Sequence, residues 1–165
     1  MALLRDLLST TKDGDWRSEH PSDGLLPYRV IRGADFPAVR YGDVSTVPLR
    51  YISRSSADRR TLQPNDILLE TAGGNRERPT GRTLLITDRL LRRLDGPATC
   101  ASFARFLRVD SLKADPIYIY WLLQHVYSIG EMWEHQVQHT GVARFQYTRF
   151  AETIDLPLPL SLIHI

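Results

Sequence analysis

Apolar positions in the middle of the chain come in short runs rather than at helical spacing. Five such runs, Tyr28 to Ile31, Val47 to Ile52, Ile67 to Thr71, Thr83 to Thr87 and Thr99 to Val109, are separated by turn-forming residues and predict strands. Gly33-Ala34-Asp35-Phe36-Pro37 breaks the chain after the first run, and Gln63-Pro64-Asn65-Asp66 is a tight turn that launches the third. The runs lack the alternating helices of a doubly wound parallel sheet, so the pattern predicts a curled, mostly antiparallel one. At the start of the chain, residues 1–9 predict a short helix, and Asp13-Gly14-Asp15 a turn before Trp16.

The pattern changes after residue 114. Asp115-Pro116 supplies an N-cap side chain followed by proline at the first helical position. Ile119, Leu122, Leu123, Val126, Ile129, Trp133 and Val137 then recur at helical spacing, which predicts an amphipathic helix to about Gln138 with Gln124, His125, Glu131 and Glu134 off its buried face. Gly130 marks a kink or a close packing contact within it. The Tyr120, Tyr127 and Trp133 stripe reads as core rather than as a base-stacking platform. The expected fold class is α+β, with a curled sheet and a long amphipathic helix near the C-terminus.

A chain of 165 residues has room for one domain with a core of its own, here residues 1–159. A formal net charge of +2 is too small to mark a nucleic-acid binder by bulk electrostatics, so any such reading rests on local clusters. Among lysine and arginine positions only Lys12 and Lys113 are lysine; arginine's planar fork suits phosphate and guanine, although a GC-rich genome gives the same bias. Cys100 is the only cysteine, which excludes an internal disulfide and a Cys-based zinc site and fits a reducing compartment. The N-terminal residues have no apolar run of signal-peptide or membrane-span length, so a cytoplasmic protein is expected. His135 and His139, four apart, have no third ligand nearby and read as solvated helix-end histidines rather than a metal site.

Two segments carry binding chemistry. Gln138 to Tyr147 places Gly141, Arg144 and the amides of Gln138 and Gln146 beside aromatics; Arg and Gln forks match purine edges, and backbone beside a glycine approaches a sugar-phosphate chain closely. An ordinary surface loop fits the same residues. The second segment, Ala72 to Arg82, holds three glycines with Asn75, Arg76, Arg78 and Arg82, which predicts forked donors at a loop tip; a solvated hairpin partly neutralised by Glu77 is its bland counterpart. The basic run Arg54 to Arg60 either tracks a backbone or is simply solvated.

Enzymatic readings of these residues are weak. Ile67 to Gly74 resembles a strand entering a Gly-rich nucleotide loop, as in methyltransferases, but Pro79 and the charged tip oppose a following helix and no Asp/Asn-Pro-Pro-aromatic motif exists. Asp66 and Glu70 are placed by strand periodicity on one face, as in metal-dependent nucleases, without a catalytic lysine after them.

In order and spacing, Asp13-Gly14-Asp15-Trp16, Tyr28 to Phe36, Leu62 to Leu69 and Thr140 to Leu160 resemble a target recognition domain of a type I restriction-modification specificity subunit. The resemblance implies a domain without catalytic activity that reads one half of a split double-stranded DNA target. It would position a methyltransferase (modification) subunit and a restriction/translocase subunit, and those partners would bind S-adenosylmethionine, ATP and Mg. It further implies that Arg32 to Phe36 and Asn65-Asp66 build the fold. DNA contacts would then come from Asn75, Arg76, Arg78, Arg82, Gln138, Thr140, Gly141, Arg144 and Gln146. The chain also departs from the pattern. One recognition domain is present where a specificity subunit has two, and Pro157-Leu158-Pro159-Leu160 leads into Ser161 to Ile165 instead of a Glu-Gln pair and a long helix. Residues 160–165 are therefore expected to be a non-native tail. The other readings are the recognition part of a fused restriction-methylation enzyme and a protein-binding module for acidic partners.

Overall fold

A computed structural model describes residues 1–138 and 141–159. In chain order the elements are β1 (Ala2–Leu3), a 3-10 turn (Leu4–Leu7), β2 (Leu8–Asp13), β3 (Leu25–Ile31), a 3-10 turn (Gly33–Asp35), α1 (Phe36–Arg40), β4 (Leu49–Ser53) and α2 (Arg54–Arg60). Next come β5 (Ile67–Glu70), β6 (Ala72–Gly74), β7 (Thr83–Leu85), α3 (Asp88–Leu94), β8 (Ala98–Cys100) and β9 (Ala104–Val109). The chain continues with α4 (Pro116–Ser128), a 3-10 turn (Glu131–His135), β10 (Gln136–Val137), β11 (Ala143–Phe145), α5 (Tyr147–Thr153) and β12 (Asp155–Leu156).

The fold is mixed α+β. A four-stranded antiparallel sheet runs β2-β9-β5-β7, a three-stranded sheet runs β4-β3-β8, and another runs β10-β11-β6, while β1 pairs with β12. Among these pairs only β3 with β8 is parallel, Val30 standing opposite Thr99.

Strand β5 explains why an unbroken apolar run sits at the centre. Successive strand side chains point to opposite faces. Ile67 and Leu69 join a core with Leu107, Ile119, Leu123, Met132, Phe145 and Phe150, whereas Leu68 joins Ile31, Phe36, Leu84, Ile86, Leu90 and Phe106. The sheet is thus buried on both faces, one under α4 and α5 and the other under α1, α3 and the β4-β3-β8 sheet.

Three expectations are corrected and one open reading gains its structure. Residues 1–9 are not a helix: Leu4–Leu7 form one 3-10 turn and Leu8–Asp13 pair with β9. Thr99 to Val109 is two strands in different sheets, separated by a turn at Ser102-Phe103. The basic run Arg54 to Arg60 is a helix capped by the Ser53 hydroxyl, with Arg59 folded onto Ser55 and Arg60 onto Asp13. The helix from residue 116 does not reach Gln138. It starts as expected, with Asp115 Oδ1 accepting from the amides of Ile117 (2.8 Å) and Tyr118 (3.1 Å), but ends at Ser128 because Gly130 takes φ +84° and turns the chain. Ile129 and Trp133 are accordingly exposed, and of the aromatic stripe only Tyr120 is fully buried. No helix among the described residues is long and apolar enough to cross a membrane.

Candidate functional site

Strand β5 is bracketed by two buried carboxylates that bind different arginines. At its start Asp66 accepts both Arg108 donors, Nε and Nη2, at 2.8 Å and the Gln63 amide at 2.7 Å. With Asn65 at φ +71°, this closes the turn that launches the strand. At its end Glu70, 2% exposed, takes Arg82 through Nη2 (2.7 Å) and Nε (3.2 Å) and Arg78 through Nη1 (3.2 Å). Each carboxylate is neutralised within the fold. Among the described residues no group of three or more His, Cys, Asp or Glu is placed to hold a metal ion.

Glu70 forms the floor of a cleft of about 450 Å³ whose wall includes Trp16, Arg32, Gly33, Ala72, Gly73 and Phe103. Backbone hydrogen bonds stitch its loops together. Asp15 N donates to Cys100 O and Ala101 N to Ile31 O, both at 2.9 Å, while Thr71 N donates to Phe103 O at 2.8 Å. The approach at Asp13-Gly14-Asp15 admits only glycine, since a Cβ on Gly14 would stand 2.1 Å from Cys100 O and 2.2 Å from Ala101 O. Arg32 closes the rim by a fork onto buried Asp35 (3.0 and 2.8 Å), which also accepts the Thr46 hydroxyl. Burial works against charge on Asp35, yet these donors and the Arg32 amide hold its carboxyl below the usual carboxylate range.

The two segments that sequence reasoning singled out meet beside this cleft. Strand β11 is the middle of its sheet, flanked by β10 and β6, with Ala143 opposite Gly74 and Arg144 opposite Ala72. The loop after β6 and the segment around β11 therefore share one surface, although almost seventy positions separate them. The Gln136 side chain accepts from Thr80 N (3.0 Å) and the Tyr127 hydroxyl donates to Pro79 O (3.2 Å), fixing the loop's return.

On that surface the candidates fall into groups. Arg76 and Arg144 are exposed, as are Asn75, Gln138 and Gly141. Asn75 Oδ1 is occupied by the amides of Glu77 and Arg78, both at 2.8 Å, and shapes the turn. Arg78 and Arg82 are not at the tip as expected: both lean back onto Glu70, with Arg78 also on Gly73 O (2.7 Å) and Arg82 on Gly33 O (2.9 Å). Gln146 precedes α5 and accepts from Arg149 at 3.2 Å. Thr140 lies outside the described residues, as does His139. His135 is buried edge-on against Phe150 (5.1 Å) beneath this sheet; burial first, then Arg149, push its pKa down.

Sequence reasoning missed the aromatics of the cleft. Phe103 is 58% exposed, and Trp16, 38% exposed, carries the Arg50 guanidinium 4.2 Å from its ring centre. Phe103 sat inside what reads as one continuous strand. Its signal was the interruption by small Ala101 and polar Ser102.

No family model matches the sequence, and comparison with curated proteins gives no match. Among solved structures the chain is similar to the S subunit of a type I restriction-modification system from M. genitalium, with 15% identity and a TM-score of 0.51. The similarity covers 92% of this chain and 32% of that one, so the chain spans about a third of that structure's length. At this identity the likeness is one of fold, and it extends over nearly every element described above.

Proposed function

We propose that this chain is a DNA target recognition domain of the type I specificity-subunit kind. It reads one half of a bipartite duplex target and is itself non-catalytic. The observation that carries the reading is the meeting of the Asn75–Arg78 turn and Arg144 on the β10-β11-β6 surface, in a fold similar to that of an S subunit. Exposed Arg76 and Arg144 are the direct readers, since an arginine fork matches the O6 and N7 edge of guanine. Gln138, Gly141 and Gln146 contribute amide and backbone donors around them, and Thr140, outside the described residues, is a further candidate by its hydroxyl. Asn75, Arg78 and Arg82 hold the loop in shape through the turn and Glu70. In this reading the modification and restriction/translocase subunits are the partners, and S-adenosylmethionine, ATP and Mg belong to them.

Selection from random-sequence duplexes with the full chain tests it. Enrichment of one short motif, with affinity falling steeply as salt rises, is expected. Retention of no duplex at low salt, or equal retention of all sequences, overturns specific readout.

A further inference from the structure

We propose that the cleft over Glu70 is a binding site for a single unstacked nucleobase. Its volume of about 450 Å³ falls within the range of small-molecule sites, about 300–1,000 Å³. Exposed Phe103 and Trp16 border it, and Arg50 on Trp16 holds that indole in place. Exposed aromatics beside a basic surface are the stacking platforms on which single bases are bound, whatever their sequence.

The floor supplies matching polar chemistry. Glu70 Oε1 receives two donors, Arg78 Nη1 and Arg82 Nε, but Oε2 receives only Arg82 Nη2. Oε2 faces two glycines: a Cβ on Gly33 would stand 2.7 Å from it and one on Gly73 3.1 Å. Glycine at both positions lets the chain pass close to that oxygen without a side chain to cap it, so Glu70, itself 2% exposed, borders the bottom of the cleft beside the guanidinium of Arg78, which is 35% exposed. An acceptor next to a donor complements the edge of a nucleobase, where a ring N–H or amino group adjoins a ring nitrogen or carbonyl. Two arginines against one glutamate leave the floor net positive, which suits the phosphate attached to the base.

A base of this kind comes either from the DNA, swung out of its stack, or from a free nucleotide; only the first source rests on the DNA reading. The test follows the Trp16 indole N–H resonance of the full chain, assigned with Trp16→Phe, during titration with dAMP, dGMP, dCMP and dTMP. Deoxyribose 5-phosphate is the control. At least one nucleotide should shift the resonance saturably while the sugar phosphate does not, and Phe103→Ala, at an exposed position, should weaken binding about tenfold. No shift with any nucleotide, an equal shift with the sugar phosphate, or an unchanged affinity in Phe103→Ala overturns the assignment. A duplex carrying 2-aminopurine in the selected motif identifies the source. A fluorescence rise that Phe103→Ala abolishes assigns the base to DNA, and a flat signal beside a positive titration assigns it to a free nucleotide. A failed duplex selection beside a positive titration removes the DNA reading and leaves the cleft standing.

Discussion

The two ends of β5 use the same chemistry, a buried carboxylate held by arginine, for different ends. Asp66 is used up: an arginine fork and a turn amide converge on it, and among the described residues no aromatic lines the surface beside it. Glu70 is held by two arginines that border a cleft, with one oxygen passed closely by two glycines. A salt bridge in a core is therefore not a role in itself. Its surroundings decide whether it locks a turn or floors a site.

Removing each carboxylate should separate the two most strongly. Asp66→Ala leaves Arg108 without its partner and opens the turn, and should cost about 3 kcal/mol in urea unfolding. Glu70→Ala should cost less, about 2 kcal/mol, because Arg78 turns to water through the cleft and Arg82 keeps its bond to Gly33 O. Equal losses would erase the distinction. Gly14→Ala tests whether the loops at the Glu70 end are built rather than incidental: overpacking against two backbone carbonyls should cost about 2–3 kcal/mol by the same measure.

Arg76→Ala and Arg144→Ala should leave stability within about 0.5 kcal/mol while weakening binding to the selected duplex by about 1–3 kcal/mol each. Unchanged affinity in both would move recognition away from the surface beside the cleft.

The smallest effect is a pH dependence under that surface. His135 has its folded pKa depressed, so the unfolded chain binds the proton more readily. Stability should be undiminished above about pH 6.5, the ordinary histidine value, and should decline as pH falls from there toward the folded value. His135→Phe should flatten that decline in thermal melts at pH 7 and pH 5, while a slope identical to the parent would show that other groups carry it.

Much of this was legible from pattern. Strands β3, β4, β5 and β7 begin within three residues of the apolar runs that predicted them, and the Asp115-Pro116 start of α4 is a local code. What failed was non-local or weakly apolar. Leu8–Asp13, half exposed and rich in threonine, becomes a strand because β9 lies beside it. Helices α2 and α3 are short and arginine-rich, yet the Ser53 and Thr87 caps were signals in plain view. At the site, the residue types of Arg78 and Arg82 pointed to ligand contact, but their pairing with Glu70 depends on a fold that brings residues 70, 78 and 82 around one carboxylate. Strand periodicity set Asp66 and Glu70 on one face, but not that each is taken up by its own arginines, at opposite ends of β5.

The pairing of β1 with β12 has a consequence for how such a unit sits in a longer polypeptide. Ala2 lies opposite Leu156 and Leu3 opposite Asp155, so the described part of the chain enters and leaves at one place. Strands paired in this way meet any flanking chain at one place rather than at opposite sides of the fold. The same adjacency lets a short linker join β12 back to β1, with an opening at the exposed turn around Gly24.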